Sequence, residues 1–523
     1  MNNRNSEIII CKNIKLDKSY TNVLDYSEQE MVNLCRDKAV ASSNSYSFIK
    51  QGVNIIDTKF TYEQGLQCNY LAFQNPSYSN KWFFAFIDDV EYISNGCARI
   101  HYTIDVHSTW FSYWQSKACF VIREHVTDDT IGLHTVPENL ETGEYVVRYK
   151  QNSKYNDEGY YVCLGVTKLL LEGNISPNTQ YNGVFSGLMY IIADSIKDSA
   201  LLIQQYANKG LLDNIVNVFY IPKHNVNITS GGWIALEDYP TASWAMIASS
   251  DSATVFDTLQ FHRSIELEDS YEPHNKKLLT YPFCYIQADN NVGGTAIYKY
   301  EYFNYDVLEN ASISIYGAIN PGCSIKAVPI DYKNVNVNFN ESLTCGKLPI
   351  CSWSGDTYTN YMTQQSINNA VKIGTIISDF ATQEYEKGIV STASFVSEVY
   401  QKQLTPYQVS GNTNSTDIVF SLGEVGLSLY HMCIRKEYAI ICDDYFTKYG
   451  YKINNLKIPN ITGRRYFNYV QIGSDDDIGY STVDSYSVPA NSMDIINNIY
   501  RKGVTIWHEH EYVGNYDVDN DLH

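Results

Sequence analysis

Residues 81–106 read KWFFAFIDDVEYISNGCARIHYTIDV and predict a β-hairpin. The first half is rich in aromatic and β-branched residues, which favour strands. Asn95-Gly96 follows, and this dipeptide accepts the two positive φ angles of a type I′ turn. After it, apolar and polar residues alternate as in a strand with one packed and one wet face; the apolar ones are Ile100, Tyr102, Ile104 and Val106. The pattern indicates antiparallel sheets rather than buried parallel ones.

Two sets of residues are predicted from this alternation. In the hairpin we expect a buried core made of Trp82, Phe84, Phe86, Ile100, Tyr102 and Ile104. In a second alternating run, Lys333–Asn340, asparagines alternate with Val335, Val337 and Phe339. We expect the asparagine face of this second strand to look into water.

Composition supports a folded, β-rich chain. At about 150 residues per domain, 523 residues predict three or four domains or one large β assembly. Hydrophobic residues make up 44% and charged residues 18%, which excludes a disordered chain. The 45 tyrosines favour strands with one packed face and a hydrated hydroxyl. The net charge of −20 excludes a protein that as a whole grips nucleic-acid phosphates or anionic membranes.

The cysteines and the N-terminus indicate where the chain folds. Twelve cysteines are scattered without a C-x-x-C pair, so zinc-ribbon and thioredoxin patterns are absent. Isolated cysteines in a long chain are usually small buried hydrophobes, and we expect folding in a reducing cytosol. The first residues do not form a signal peptide, and no apolar stretch is long enough for a transmembrane helix.

Helical patterns interrupt the strands at two places outside the insertion described below. Between Lys150 and Leu279 helical and strand-like patterns are mixed, which indicates an α+β region. The apolar spacing of Ser195–Tyr220 predicts one or two helices. Near the end we expect a short helix that Ser492 caps and Gly503 ends. Its inward face would be formed by Ile495, Ile496 and Ile499.

Thr363–Gln403 differs from the strands around it. Small and hydroxyl residues fill this segment, and its apolar residues recur at helical spacing. A loop-like run follows, so residues 363–428 are interpreted as one long insertion, and such insertions are usually functional or disordered. The candidate functional residues are Ile367, Val371, Ile376, Ile377, Phe380, Ile389, Phe395, Val396 and Val399.

Catalytic and metal-binding patterns give no positive prediction. The sequence contains no G-x-S-x-G, Walker A, G-x-G-x-x-G or H-E-x-x-H motif. His125, Asp128, Asp129 and His134 are close together, but their spacing matches no known metal cage and a turn is favoured. We therefore predict no catalytic residue, no cofactor and no metal, and a protein that is not an enzyme.

Seven short runs carry a resemblance to a known family. They are Gln74–Phe86, Ile104–Val106 with Thr109-Trp110, Val121–Val126, Lys448–Asn454, Phe467–Gln471, Gly503–His508 and Gly514–Tyr516. In these runs and in their order, the chain resembles the tail knob (distal tail tube) proteins of small podoviruses, the Salasmaviridae and their relatives. The runs cover roughly residues 70–130 and 445–523, and they are structural signatures rather than catalytic ones.

The resemblance implies a homohexameric tube at the far end of a short tail, a conduit for genome delivery. It also implies a long apolar loop that plugs the lumen and leaves it to breach the host membrane. Thr363–Gln403 lies where that loop should be, yet charged residues interrupt it: Lys372, Asp379, Glu384, Glu386, Lys387 and Glu398. A helical hairpin packed in the tube therefore remains an alternative to a membrane-active loop.

The resemblance also implies a domain plan. The fold class is mainly β with an α+β insertion, and β-barrel tube domains form a ring. Residues 1–149 and 281–362 are the two parts of the tube barrel region, 150–280 an inserted outer α+β domain, 363–428 the channel insertion, and 429–523 the strands completing the tube.

The expected partners and location follow from the same resemblance. The partners are further copies of the chain, other tail proteins such as the lower collar, and viral DNA that passes without specific binding. A host membrane or cell-wall receptor is left open. The location is the tip of the virion tail, after assembly in the host cytoplasm. A receptor-binding tail adhesin and a tail-associated cell-wall hydrolase are the alternative functions.

Overall fold

The described part of the chain covers most of its two ends and several stretches between them. This computed structural model describes residues 6–46, 54–75, 79–154, 160–168, 214–222, 255–262, 266–304, 310–316, 324–347, 350–354, 426–461, 468–474 and 488–520, with shorter pieces between 180 and 248, residues 410–411 and residue 478.

Strands dominate these residues, which confirms the prediction of a mainly β fold with some helix. In chain order the strands are β1 (Ser6–Cys11), β2 (Asn22–Leu24), β3 (Ala39–Tyr46), β4 (Ile55–Thr58), β5 (Tyr70–Asn75), β6 (Lys81–Ser94), β7 (Cys97–Ile104), β8 (Cys119–Glu124), β9 (Tyr145–Lys154), β10 (Tyr160–Val166), β11 (Gln180–Tyr181), β12 (Val184–Phe185), β13 (Met189–Ala193), β14 (Ile215–Pro222), β15 (Trp233–Ile234), β16 (Ala245–Ala248), β17 (Val255–His262), β18 (Cys284–Asp289), β19 (Thr295–Tyr298), β20 (Asn310–Tyr316), β21 (Ser324–Tyr332), β22 (Val335–Val337), β23 (Leu343–Lys347), β24 (Ile350–Ser354), β25 (Ser410–Gly411), β26 (Gly426–Ile434), β27 (Tyr451–Lys457), β28 (Asn468–Ile472) and β29 (Val504–Trp507). The α-helices are α1 (Glu28–Asp37), α2 (Tyr62–Leu66), α3 (Val106–Trp110), α4 (Lys436–Tyr449) and α5 (Ala490–Lys502).

The chain divides into two compact units. The first contains residues 1–144, 271–279 and 435–523, and the second contains residues 145–270 and 280–434. The five-part domain plan from the sequence is finer than this division and stays a prediction.

The first unit contains a six-stranded antiparallel sheet in the order β3-β1-β5-β6-β7-β4. The predicted hairpin is confirmed as β6 and β7, which are joined by Asn95-Gly96. The predicted type I′ turn is wrong, because neither residue of the turn has a positive φ. A register shift between Tyr92 and Ser94 interrupts the ladder beside the turn. Such a bulge increases the local twist of the strands, as a type I′ turn would also do.

This sheet is packed on both faces along the first half of β6. Of the six predicted core residues, five are buried and Ile104 is half-buried. They lie on opposite faces, however, since Phe84 packs in a cluster with Met31 of α1, while Ile100 packs in another with Phe60. The expectation that these six residues form one core face is therefore wrong, because α1 covers one side of the sheet and the chain around Phe60 covers the other. Along β7 itself, buried and partly exposed residues alternate as expected.

A second sheet of the first unit has the order β2-β29-β28-β8-β27, in which only the pair β2-β29 is parallel. Helices α3 and α5 share a hydrophobic cluster with it. The helix predicted near the C-terminus is confirmed as α5, and Gly503 ends it with a φ of 91°. Pro489 precedes the first turn instead of Ser492, and Ile495 is 41% exposed, so these two details of the prediction are wrong.

The second unit contains several antiparallel sheets. Their orders are β19-β18-β26-β9, β17-β20-β21-β22 with β23 on β21, β15-β16-β13-β10-β14-β24-β25, and the short pair β11-β12. The helical prediction for Ser195–Tyr220 is half wrong. The described residues Ser199, Leu202, Gln205 and Tyr206 are helical, but Ile215–Pro222 is strand β14. Because β14 lies between two strands, its isoleucines and valines suit a strand with neighbours on both sides.

The run Lys333–Asn340 agrees only in part with its prediction, since Asn334, Asn336 and Asn340 are exposed as expected. Only Val335–Val337 is strand, Val335 and Phe339 are about half exposed, and Asn338 is buried. The amide of Asn338 donates to the carbonyl of Tyr332 at 3.1 Å, which satisfies this buried polar group. Lys333 and Asn334 have φ angles of 54° and 61° in the two-residue loop between β21 and β22. The double positive φ expected at Asn95-Gly96 therefore occurs here.

Candidate functional site

The predicted channel segment lies outside the described residues. This holds for all nine candidate residues: Ile367, Val371, Ile376, Ile377, Phe380, Ile389, Phe395, Val396 and Val399. The structure does describe the nearest sizeable strands before and after the segment, β24 and β26. The position of β26 in its sheet therefore describes how the chain is held next to the segment.

Strand β26 is an inner strand of the four-stranded sheet, between β18 and β9. Every second residue points to a fully buried face: Leu427, Leu429, His431 and Cys433. On β18 the residues opposite them on that face are equally buried: Cys284, Ile286 and Ala288. Two ladders and a buried face hold this strand in its sheet.

His431 is the polar centre of that buried face. Its ring stacks on Tyr149 with a centroid distance of 3.8 Å, its Nδ1 lies 2.5 Å from the Tyr300 hydroxyl, and its Nε2 lies 3.2 Å from Oε1 of Gln151. Burial lowers the pKa of His431 to about 3, so the ring is neutral at physiological pH. A neutral ring with its proton on Nε2 satisfies both contacts, because Tyr300 donates and Gln151 accepts.

The six-stranded sheet of the first unit has two edge strands, β3 and β4. Strand β3 is eight residues long and contains neither proline nor a charged residue. Natural edge strands are usually short, charged or interrupted by proline, because an open edge can pair with another chain. Strand β3 has none of these three protections, although its ladder with β1 has register shifts near both ends.

A short segment, Tyr271–Leu279, belongs to the first unit although residues of the second unit flank it in the chain. The buried carboxylate of Asp443 accepts hydrogen bonds from Tyr271 Oη at 2.8 Å and from the backbone N–H groups of His274 and Asn275 at 2.9 and 3.0 Å. The Asn275 amide also donates to it, at 2.7 Å. Asp443 therefore anchors this segment.

A buried ion cluster anchors the end of the same segment. Lys277 and Arg123 both form ion pairs with Glu138, whose side chain is 2% exposed. Burial lowers the pKa of the Lys277 ammonium, and the neighbouring Glu138 acts in the opposite direction. Such paired and hydrogen-bonded charges fix position rather than supply large net stability.

The four residues tested as a metal cage do not converge. His125 is buried, and its two ring nitrogens contact the Tyr469 N–H and the Thr447 carbonyl. Asp128 accepts from the backbone N–H and the hydroxyl of Thr130, as in a turn. Asp129 accepts from Tyr451 Oη at 2.6 Å. Among the residues that the structure describes, no group of three or more His, Cys, Asp or Glu could hold a metal ion.

An acidic depression of about 460 Å³ opens beside α1. It is lined by Asp25, Tyr26, Glu30, Asn33, Leu34, Asp37, His508 and Glu509. His508 Nδ1 lies 2.6 Å from a carboxylate oxygen of Asp25, which orients both side chains. The carboxylates make this surface repel anions such as phosphate.

Most of the cysteines with described side chains are buried, as the sequence predicts. Ten cysteines have described side chains; none of the ten forms a disulfide, and nine are buried. No described helix is both long enough and apolar enough to cross a bilayer.

Two family models match the chain. Residues 4–115 match the N-terminus of the caudoviral major tail protein. Residues 248–399 and 367–521 match the C-terminal domain of tail knob protein gp9 of Bacillus phage phi29, and together they span more than half of the chain. The first match indicates the class, a structural protein of a phage tail. The second shows the family: the chain belongs to the phage tail knob proteins of the gp9 type.

Individual relatives agree with this assignment. Tail knob protein gp9 of Bacillus phage PZA is 23% identical, with 92% of this chain and 95% of the relative covered. Its counterpart in Bacillus phage phi29 is 24% identical with 87% of each covered, and that of phage B103 is 24% identical with 91% of each covered. The solved structure of the bacteriophage C1 tail knob protein, gp12, has a TM-score of 0.61, 13% identity and 98% coverage of both chains, which shows a shared fold.

The family assignment confirms several sequence predictions. The chain is a structural component of a podophage tail, located in the virion and associated with other tail proteins, and it is not an enzyme. The contacts of Asp443, Glu138 and His431 were missed, because each joins residues more than a hundred positions apart. No periodicity in the sequence could have indicated them.

Proposed function

We propose that this tail knob protein forms a homohexameric tube at the distal end of the tail and conducts the genome into the host. The observation that carries the proposal is the unprotected edge strand β3 in a six-stranded sheet that also has a second open edge, β4. A contact between two different surfaces of the same chain is heterologous, and such contacts form a ring when the rotation between neighbouring subunits closes. The match of this region to a major tail protein supports a tube-forming role.

Charge supports the conduit. DNA must slide through the channel without sticking, and a basic wall would hold each phosphate through counterion release. A chain with a net charge of −20 repels the DNA backbone instead. The asparagine face expected at Lys333–Asn340 supports this argument only in part, because Asn334, Asn336 and Asn340 are exposed but Asn338 is buried.

Thr363–Gln403 is proposed as the functional insertion of the tube. We propose that it plugs the channel before infection, with release toward the host membrane as the later step. The support is its composition, because apolar residues recur at helical spacing among small and hydroxyl residues. Partners proposed with it are further copies of the chain, the lower collar and passing DNA. The outer location of residues 150–280 remains part of the proposal.

The ring is tested by blocking the β3 edge. Ser42 and Asn44 are exposed on β3, so Ser42→Lys with Asn44→Lys should leave the fold intact but stop pairing by charge repulsion. Leu66→Lys with Gln67→Lys, exposed residues away from this edge, is the matched control with an equal change in charge. Electron microscopy of purified protein and of particles should show six-fold rings for wild type and control only.

Two outcomes would contradict the proposal. Wild-type particles without six-fold symmetry at the tail tip would exclude the homohexameric ring. A protein that remains monomeric in particles and binds host wall polysaccharide would favour the receptor-binding adhesin instead. Unchanged rings in the β3 variant would show that the subunits meet through another surface.

A further inference from the structure

Cys284 and Cys433 lie directly opposite each other on β18 and β26. Both are completely buried, and neither forms a disulfide. Their two side chains share the apolar face of the four-stranded sheet, two residues from Ile286 and His431 respectively. They are therefore neighbours across a strand pair in the interior of the second unit.

The ladder around them has the geometry that a cross-strand disulfide needs. The N–H of Ile434 donates to the carbonyl of Phe283 at 3.0 Å, and the N–H of Cys284 donates to Thr280. Cys284 and Cys433 are thus a non-hydrogen-bonded pair, in which opposite Cα atoms are about 4.5 Å apart and side chains are closest. Disulfides span Cα separations of about 4.4–6.8 Å, so the bond can form with little backbone movement.

We propose that Cys284 and Cys433 are a latent disulfide site, reduced during assembly and oxidised by a small-molecule disulfide after the particle leaves the cytosol. The thiolate of Cys433 attacks the small disulfide, forms a mixed disulfide and releases one thiol. Cys284, after losing its own proton, attacks the mixed disulfide and releases the second thiol. Two electrons pass from the cysteine pair to the oxidant, and the protein gains one S–S bond.

Burial makes this reaction slow, which keeps the pair reduced while tails assemble. Burial raises the pKa of Cys433 to about 11 and that of Cys284 well above its ordinary value. Only the thiolate reacts. At pH values below the pKa of the attacking thiol, each rise of one pH unit should therefore increase the rate about tenfold. Exchange also requires a local opening of the sheet, because neither thiol contacts solvent.

The position of the bond gives it a role that rests on the proposed channel function. Cys284 and Cys433 bracket the part of the chain that contains Thr363–Gln403. Among the described residues, β26 is the first long strand after that segment. A covalent bond from β26 to β18 would keep this strand in its sheet when the segment is displaced during infection.

The test maps disulfides in the full-length protein. Protein is incubated at pH 8 with oxidised glutathione or with dithiothreitol, denatured in iodoacetamide, digested and analysed by mass spectrometry. We expect a linked Cys284–Cys433 peptide pair after oxidation only. Cys163, a buried strand cysteine that pairs with Ile192 and Phe219 in its two backbone ladders, should be alkylated in both samples.

Alkylation of Cys284 and Cys433 to the same extent as Cys163 after oxidation would overturn the proposal, and so would links that scatter among several cysteines. A second readout is the thermal midpoint, which should rise on oxidation in wild type and stay constant in Cys433→Ala. Because mapping needs no ring, channel or particle, its failure is distinguishable from failure of the tube proposal. Protein taken from released particles should show the same link.

Discussion

The ammonium of Lys81 lies 3.7 Å from the centre of the Tyr113 ring, inside the first unit. The same ammonium is 2.9 Å from Oε2 of Glu28, which also accepts from the Tyr113 hydroxyl at 2.8 Å. The Lys81 side chain is fully buried, and this burial lowers its pKa to about 8 despite Glu28. Lys81 thus connects the start of α1 to β6 and to the turn after α3.

This contact predicts a specific pH dependence. Between pH 8 and about 10.5 the unfolded chain keeps the Lys81 proton while the folded protein has released it, so a rise in pH favours the folded state. Relative to Lys81→Met, the unfolding free energy of wild type should rise by up to about 1.4 kcal/mol per pH unit in this range. Urea titrations at pH 8, 9 and 10 measure it.

The control for this prediction is Lys117→Met, which removes an exposed lysine. Its pH slope should equal that of wild type, because titration of the many tyrosines is common to all three proteins. Equal slopes for wild type and Lys81→Met would show that Lys81 has no depressed pKa in the folded protein.

Asp443→Asn should loosen the segment Tyr271–Leu279. The carboxylate accepts from four donors of that segment, and an amide would turn its own N–H₂ toward some of them. Hydrogen bonds to a charged group contribute about 1.5–3 kcal/mol each, so we expect a loss of at least about 2 kcal/mol. Urea denaturation gives the loss, and limited proteolysis should cut within this segment first. Asp444→Asn, an exposed neighbour on α4, should change neither measurement.

Gly450 and Gly514 form a matched pair of glycines with positive φ. A Cβ at Gly450, with φ of 63°, would lie 2.6 Å from the backbone nitrogen of His125 and closer still to the carbonyl of Glu124. At Gly514, with φ of 78°, nothing lies within 4 Å. Gly514→Ala should therefore cost only the strain of its φ, about 1–2 kcal/mol. Gly450→Ala should cost clearly more in thermal or urea unfolding, and equal losses would contradict the close approach.

Phe84→Ala tests the core of the six-stranded sheet. The side chain is completely buried among α1 and β5 residues, so its truncation should cost about 3–5 kcal/mol. Leu456→Ala removes an apolar side chain that is 69% exposed and should stay within about 0.5 kcal/mol of wild type. Urea denaturation of both variants at one pH separates them, and a small loss for Phe84→Ala would mean that the cluster is loosely packed.

Comparison of these positions shows which properties the sequence could predict. The hairpin, α5 and the stop at Gly503 follow from local periodicity and from residues that end elements, and they were predicted. Periodicity shows which residues share a face of a strand or helix, but not whether another part of the protein covers that face. Val335 and Ile495 are therefore exposed although they lie at apolar positions of their patterns. Contacts such as Asp443 with Asn275 join positions 168 residues apart, and only tertiary packing brings them together.

Deletion of Thr363–Gln403 is expected to separate folding from delivery. The segment's small residues and helical spacing differ from the strands around it, so few sheet contacts should depend on it. The deletion variant should form the same rings as wild type, and its particles should release DNA early or infect poorly. Phage yield, DNA release on mild heating and electron microscopy of the tail tip measure the three effects.

The segment alone should act only weakly on membranes. Its charged residues interrupt the apolar run, and each charge at the centre of a bilayer costs about 2.5–3.5 kcal/mol. A synthetic peptide of residues 363–403 should therefore release less dye from liposomes than a variant in which Lys372, Asp379 and Glu398 are replaced by alanine. Equal and strong leakage from both peptides would favour membrane entry over a plug.

The deletion experiment can also contradict the assignment of the segment. A deletion variant that cannot fold or form rings would show that the segment belongs to the structural core of the tube.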